Sequence, residues 1–261
     1  MLVKFIKRLS MAWMQLKSNV SRFLQQGLNT IACCDLCGGH VGEVTLANKI
    51  LEQSLLCQYC LDDLPFFNQN LLQANLLSWP SIYHALPNIH FDCLFSLTPY
   101  MNPVDQWLRQ FKYQGRFELA VLFSALLANV LTRQEAIAVN RPDLILSVPL
   151  HASKWQLRGY NQAHLIAEKL AKKIVLPYLP SALVRTKKNE SQVGKTGAQR
   201  RKSLRQAFAL ALPLPAQIKH VLLVDDVVTT GSTASEISKL LKDSGIERVT
   251  LVTICLSLPK P

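Results

Sequence analysis

The stretch Val221–Thr233, VLLVDDVVTTGST, decides the fold. Val221 to Val224 are four apolar residues in a row, the pattern of a strand buried on both faces of a parallel sheet. Asp225 and Asp226 fall where that strand is expected to end. A short loop of hydroxyls follows around Gly231, and helical spacing resumes over Ala234–Leu241 through Ile237, Leu240 and Leu241. Strand, acid pair, hydroxyl loop and helix in this order make a grip for a sugar phosphate. The N–H groups of a tight loop, the positive end of a helix and Thr/Ser hydroxyls converge on one phosphate. The two carboxylates accept hydrogen bonds from pentose hydroxyls. A lone DD or TTG says little; the whole string says more, because every position suits its place.

Working outward, the remaining chain alternates strands and helices. Phe91–Leu97 reads as a strand, and Pro103–Tyr113 and Phe117–Leu131 as helices. Asp143–Val148 is an apolar strand, followed by a Pro-containing loop and a helix from about Gln162 to Ile174. Ala182–Val184 and Ala207–Leu212 are candidate short edge strands, and Val249–Leu256 is the last strand. Residues 66–90 read as a Leu- and Asn-rich connector, and Asn189–Gly197 as a polar loop. Alternation of this kind predicts an α/β fold, a doubly wound, mostly parallel sheet. No internal repeat is visible.

The chain has 261 residues and is 49% hydrophobic, enough for one substantial α/β domain and a small accessory module. No uncharged apolar run reaches the length of a membrane-spanning helix. The net charge of +12 is localised. Five Lys/Arg and no acid lie in residues 1–30, and eight Lys/Arg with one acid lie in residues 185–205; the rest of the chain balances. Each basic segment suits a polyanion such as lipid head groups, nucleic acid or a diphosphate. In residues 1–26, Leu2, Ile6, Leu9, Trp13, Leu16, Val20 and Phe23 recur at helical spacing, with Lys4, Lys7, Arg8 and Lys17 largely off the seam. This is either a helix packed on a neighbour or a basic amphipathic helix resting on an anionic membrane or another protein. It is not a signal peptide, since charges interrupt the apolar run. Met11 and Met14 are alternative starts.

Four of the seven cysteines form two CxxC pairs, Cys34–Cys37 and Cys57–Cys60. A CxxC turn sets two thiolates at the separation one tetrahedral Zn²⁺ needs, and Gly38 and Gly39 let the backbone turn toward sulfur. Two such pairs complete a closed structural site of four sulfurs. Cys33 is a spare neighbour able to replace Cys34, and Cys93 and Cys255 read as core residues. Thiol ligands without an export signal point to a reducing cytoplasm. Gly194-Lys195-Thr196 looks like the end of a Walker A loop, but Asn189 stands where that loop needs Gly, so a basic loop is the better reading.

Val221–Thr233 resembles, without a gap, the motif that binds phosphoribosyl diphosphate (PRPP) in type I phosphoribosyltransferases. Further pieces narrow the resemblance: CxxC…CxxCxxxLP ending at Leu64-Pro65, FKYQG at 111–115, VPLH at 148–151 and RGYNQ at 158–162. In this order they resemble the ComF competence proteins over Cys34 to Leu256. The resemblance implies a phosphoribosyltransferase-type sheet with an N-terminal zinc finger. The expected layout is a basic helix at 1–30, a four-cysteine zinc module at 31–66, a connector and hood region at 67–98 and a phosphoribosyltransferase-like domain at 99–261. It implies Asp225 and Asp226 on the ribose 2′ and 3′ hydroxyls as the catalytic pair. Val227 would lie in the PRPP site, and Thr229, Thr230, Gly231, Ser232 and Thr233 would wrap the 5′-phosphate. Leu150 and His151 would lie at the pyrophosphate loop with Lys154 and Arg158 near the diphosphate. Residues 186–206, with Arg200 and Arg201, would form a loop closing over PRPP.

The residues themselves leave alternatives. Arg158 reads equally as a surface residue opening the next helix. His151 is either a base or a loop His bonded to backbone. Lys112 and Tyr113 either line the ribose site or are a snorkelling Lys and a core-edge Tyr. Many family members have Arg at position 154, and Lys lacks that bidentate fork. Enzymes that salvage 6-oxopurines carry an acid where this chain has Thr229. The resemblance further implies Mg²⁺ with the PRPP and pyrophosphate chemistry with a base or nucleotide. It implies a cytoplasmic role in DNA uptake and transformation. Separately, the amphipathic pattern of residues 1–26 suits a contact to the membrane or the uptake machinery. A PRPP-sensing or single-stranded-DNA-binding factor without catalysis is the alternative.

Overall fold

The computed structural model describes residues 33–41, 55–68, 75–86, 88–133, 140–186 and 207–257. The amphipathic segment 1–26, Gly194–Thr196 and the loop candidates Arg200 and Arg201 lie outside the described residues. The chain divides into two compact units, Met1–Leu64 and Pro65–Pro261.

The first unit holds the four cysteines. Its backbone turns tightly at Cys34–Gly39: the Cys34 N–H donates to the Gly39 carbonyl and the Gly38 N–H to the Cys34 carbonyl. Gly38 adopts φ +71°, the left-handed conformation that closes the turn. A short helix, α1 (Gln58–Asp62), starts at the second pair, with Cys57 at its N-cap.

The second unit is built on a parallel sheet. Its strands are β1 (Cys93–Pro99), β2 (Leu144–Ser147), β5 (His220–Val224), β6 (Val227–Val228) and β7 (Arg248–Leu256), in the spatial order β1-β7-β5-β2, with β6 also on β7. An antiparallel pair, β3 (Leu183–Arg185) and β4 (Phe208–Leu210), forms a second, smaller sheet. The helices are α2 (Pro80–Ala85), α3 (Val104–Tyr113), α4 (Leu119–Arg133), α5 (Ala152–Arg158), α6 (Gln162–Ile174) and α7 (Ser232–Asp243). β5 is buried at all five residues and β7 at eight of nine, as expected of central strands covered on both faces.

Alternate side chains sort to the two faces. Leu94, Leu144, Leu146, Val221, Leu223, Val249 and Leu251 form one core with Ala234, Ile237 and Leu241 of α7 and with Leu183 and Phe208 of the β3–β4 pair. Leu76, Ile82, Leu86 and Phe91 complete it. The segment before β1 is therefore packed into the sheet domain, and β1 itself crosses the expected boundary at residue 98. Pro80 starts α2 at its first turn, where a missing N–H costs nothing. On the opposite face α4 packs against α6 and β1, and α6 against β2 and β5. Ten of the fifteen α4 residues are buried, so this helix is apolar nearly all round.

One local expectation holds with an addition, and one needs correction. β5 ends at Val224, before the acid pair, and a separate strand, β6, resumes beyond it at Val227. Val224 lies opposite Val252 and Val227 opposite Cys255, so pairing with β7 continues in one register across the acid pair. The Asp225 N–H donates to the Val252 carbonyl, and the Asp226 carbonyl accepts from both Ile254 and Cys255. What ends there is the pairing with β2, whose last ladder contact is the Val148 N–H on the Val224 carbonyl. The correction is α5. Residues 152–158 are helical, with His151 at the N-cap accepting from the Ser153 N–H and Gly159 closing the end at φ +75°. Arg158 thus ends one helix rather than opening the next, and Asn161 caps α6.

Candidate functional site

β2 and β5 run side by side and part at their carboxyl ends. Beyond Val148 the chain leaves the ladder and enters α5, while the chain after β5 stays on β7 through β6. A crevice opens where neighbouring strands part in this way, the usual ligand position of an open α/β sheet. Here it is a cleft of about 460 Å³. Val148, Pro149, Leu150 and His151 line it from β2, and Asp225, Asp226, Val227, Thr229, Thr230, Ser232 and Thr233 from β5 and the start of α7. Lys112, Lys154, Arg158 and Arg185 line it as well.

The acid pair is held from several directions. Asp225 accepts from the Asp226 N–H at 2.8 Å. Asp226 Oδ2 lies 3.0 Å from Lys112 Nζ, with the two side chains 14% and 16% exposed. Burial and the Asp226 charge push Asp225 up to about 7, against the downward pull of the Asp226 N–H, Lys112 and Lys154. Burial works to lower Lys112, but the Asp226 carboxylate outweighs it and the net shift is upward. Both carboxylates keep a face in the cleft.

Opposite them is a helix start prepared for an anion. Gly231 caps α7 at φ +66°, and no side chain caps its first turn. The Thr230 and Ser232 hydroxyls bond each other at 2.9 Å. A Cβ at position 231 would meet Leu86, Ile89 and Phe91 at 3.5 Å, so the loop is packed closely from behind. Uncapped first-turn N–H groups, a positive helix end and hydroxyls together suit a phosphate.

A cationic wall completes the cleft. Lys154 is lowered by burial and then by the neighbouring Arg158 charge, and Arg185 is lowered by burial. His151 is lowered by burial, then by Arg185 and Lys154. Its Nδ1 accepts from the Ser153 N–H at 3.2 Å and lies 2.6 Å from Ser153 Oγ, so it caps α5. Arg158 donates to Gln162 Oε1 at 3.0 Å and to the Tyr113 hydroxyl at 3.1 Å. Cations crowded this closely repel one another, and an anion of two or more charges relieves that repulsion.

Sequence reading puts Lys112, Leu150, His151, Lys154, Arg158, Asp225, Asp226, Val227 and Thr229–Thr233 in one site, and they line one cleft, Gly231 apart, which shapes the loop from behind. It does not single out Arg185, Asn161, Tyr100 or Ser257. Arg185 opens the basic stretch 185–205, and that charge run is its signal. Asn161 is visible within RGYNQ: its side chain accepts from the Ala163 N–H and donates to the Val148 carbonyl, tying α6 to the loop after β2. Tyr100 and Ser257 reach the cleft through strand order alone, and no local signal marks them.

The four sulfurs of Cys34, Cys37, Cys57 and Cys60 lie within 4.8 Å of one another. Cys37 Sγ and Cys57 Sγ are 3.7 Å apart. A tetrahedral Zn²⁺ with bonds of about 2.3 Å separates its sulfurs by about 3.8 Å, so the set fits such an ion. Desolvation raises Cys34, but backbone N–H groups of Cys37, Cys57 and Leu36 carry it down to about 6. Desolvation and the neighbouring thiols raise Cys60. In the main cleft, the lining residues include two carboxylates, one of them already paired with Lys112. Those donors do not build an all-protein Mg²⁺ cage; they suit an ion carried in by a phosphorylated ligand.

Comparison with known proteins fits this geometry. Residues 160–260 match the phosphoribosyl transferase domain family. The chain is 31% identical over 234 residues to the DNA utilization protein YhgH of Escherichia coli O157:H7, covering 89% of this chain and 98% of that one. It is 32% identical over 222 residues to Competence protein F of Haemophilus influenzae, covering 84% and 89%. The chain belongs to the ComF family. A purine phosphoribosyltransferase from Pyrococcus horikoshii is a structural neighbour at 16% identity and TM-score 0.32, over 52% of this ComF chain and 72% of its own. The ComF assignment fits the parallel sheet and the N-terminal cysteine cluster. Among the described residues of this ComF protein, no helix is long and apolar enough to cross a membrane.

Proposed function

We propose that the cleft binds PRPP and transfers its phosphoribosyl group to or from a base or nucleotide, in a competence-related role. One observation carries this reading: an acid pair, an uncapped helix start and a wall of Lys154, Arg158 and Arg185 line the same cleft. Those are the three groups a pentose carrying a 5′-phosphate and a diphosphate requires. Asp225 and Asp226 accept the ribose hydroxyls, Thr229–Thr233 hold the 5′-phosphate, and the cationic wall meets the diphosphate. Mg²⁺, when bound with the diphosphate, neutralises charge on the departing group.

In the forward direction a ring nitrogen of the acceptor bonds to ribose C1 as the C1–O bond to diphosphate breaks. The electron pair leaves on pyrophosphate, and the nitrogen's proton passes to solvent. The protein orients both partners and stabilises charge where pyrophosphate departs. Thr229 supplies no acid to an acceptor nitrogen, which argues against a hypoxanthine–guanine acceptor. The ion in the four-thiolate cluster is zinc in this reading, serving structure. The printed names of the relatives, competence and DNA utilization, support a cellular role in the use of incoming DNA.

Isothermal titration with PRPP and Mg²⁺ tests the core of this proposal. Binding in the micromolar to millimolar range is expected, with a loss of roughly tenfold or more in a variant carrying Asp225→Asn and Asp226→Asn. Absence of PRPP binding by the unaltered protein sinks it. A screen of bases and nucleotides for pyrophosphate release from PRPP then identifies the acceptor.

A further inference from the structure

Arg158 reaches the cleft from the end of a seven-residue helix, α5, whose Trp155 and Leu157 are 50% and 74% exposed. A helix this short and this thinly buried does not by itself fix a long side chain. The fixing contacts come from elsewhere. The Tyr113 hydroxyl accepts from one terminal nitrogen of Arg158 at 3.1 Å, and the guanidinium carbon sits 5.0 Å from the Tyr113 ring centre. Gln162 accepts from the other terminal nitrogen at 3.0 Å. Arg158 Nε is buried and has no hydrogen-bond partner among the described residues.

Tyr113 is itself well placed to act from outside the cleft. It ends α3, one residue after Lys112, and Gly115 at φ +69° turns the chain away directly afterwards. The two segments are docked a second time by Tyr160, whose hydroxyl donates to the Phe111 carbonyl and whose ring lies 4.6 Å from that of Phe117. FKYQG and RGYNQ thus interlock. Tyr113 is 60% exposed, far more than a packing role requires. It does not line the cleft, but Arg158, to which it bonds, does.

We propose that Tyr113 is a positioning residue for Arg158: its ring and hydroxyl hold the guanidinium against the cleft wall so that a diphosphate meets a preset cation. This rests on the reading of the cleft as a diphosphate site. Holding the side chain in advance removes the cost of ordering it when the anion arrives. The cation–π contact and the charge-assisted hydrogen bond supply separate parts of that hold.

The test uses the full chain and inorganic pyrophosphate as probe, with affinity from titration and melting temperature in parallel. Tyr113→Leu is expected to weaken pyrophosphate binding roughly tenfold, and Tyr113→Phe, which keeps the ring, by roughly threefold. In an Arg158→Ala background, Tyr113→Leu is expected to cause no further loss. Wild-type affinity in Tyr113→Leu overturns the proposal, as does an equal loss with and without Arg158. A melting shift matched by no affinity change also overturns it, since a purely structural role would give that result. If the unaltered protein fails to bind pyrophosphate, the cleft reading itself fails and takes this role with it.

Discussion

Lys112 Nζ, on the last turn of α3, lies 3.0 Å from Asp226 Oδ2 at the end of β5. A cation from FKYQG therefore closes on an acid from the sugar-phosphate motif, and neither side chain is more than 16% exposed. Asp226 also sits beside a second carboxylate that burial and charge drive upward. Lys112 is the counter-charge that lets two adjacent acids share a desolvated strand end.

Removing that counter-charge leaves Asp226 poorly hydrated and unpaired. Lys112→Met is expected to destabilise the chain by about 1–3 kcal/mol at pH 7, in line with uncompensated, largely buried charges. Adding Asp226→Asn is expected to restore part of that loss. Urea unfolding of both single variants and the double variant checks this; strictly additive effects would show that the pair is not coupled.

Burial and the adjacent Asp226 charge raise the Asp225 carboxyl in the folded chain from its ordinary 3.8 to about 7. Between those values the folded protein holds a proton that the unfolded chain has released. Stability therefore falls as pH rises through that window, because the unfolded state binds fewer protons there. Asp225→Asn removes the penalty. The variant is expected to match the wild type near the lower end of the window and to gain on it steadily toward the upper end. Urea midpoints measured across that range give the comparison, and parallel profiles would contradict it.

Gly231 holds φ +66° at the start of α7. A Cβ there makes ordinary contact at 3.5 Å, so crowding is minor and backbone strain is the main cost. Gly231→Ala is expected to lose about 1–2 kcal/mol, and Gly231→Asn less, since Asn tolerates the left-handed region. Equal stability of the Ala and Asn variants in denaturant titrations would show that conformation is not what selects glycine.

The cysteine unit is expected to carry one zinc per chain in metal analysis of purified protein. Titration with a mercurial reagent is expected to release that zinc as four thiols react. Cys57→Ser is expected to reduce the bound metal well below one equivalent. Retention of a full equivalent in that variant would mean that a different set of ligands holds the ion.

Much of the fold is legible in the chain because short-range patterning records it. Gln162–Ile174 reads with both ends in place, since Asn161 is a strong cap and the apolar stripe is clear. Residues 152–158 escape sequence reading because ASKWQLR shows no stripe: Trp155 and Leu157 point to solvent, and a proline at 149 suggests a loop. Val227–Val228 escapes it because it is a separate strand of only two residues beyond the acid pair. Pairing resumes there because β7, at nine residues, outlasts β2, at four, and only the neighbour's length reveals that.

The order of residue types along the chain is enough for the acid pair, the glycine at the helix start, the paired cysteines and the parallel strands. Each depends on bond geometry or periodicity within a short segment. Which cation meets which acid is decided by packing. Lys112, Lys154, Arg158 and Arg185 come from two helices and an antiparallel strand, and they converge because the sheet runs β1-β7-β5-β2. That order arises from long-range burial, with no signature in any one segment. The cleft's charge is therefore a property of the assembled sheet and its helices.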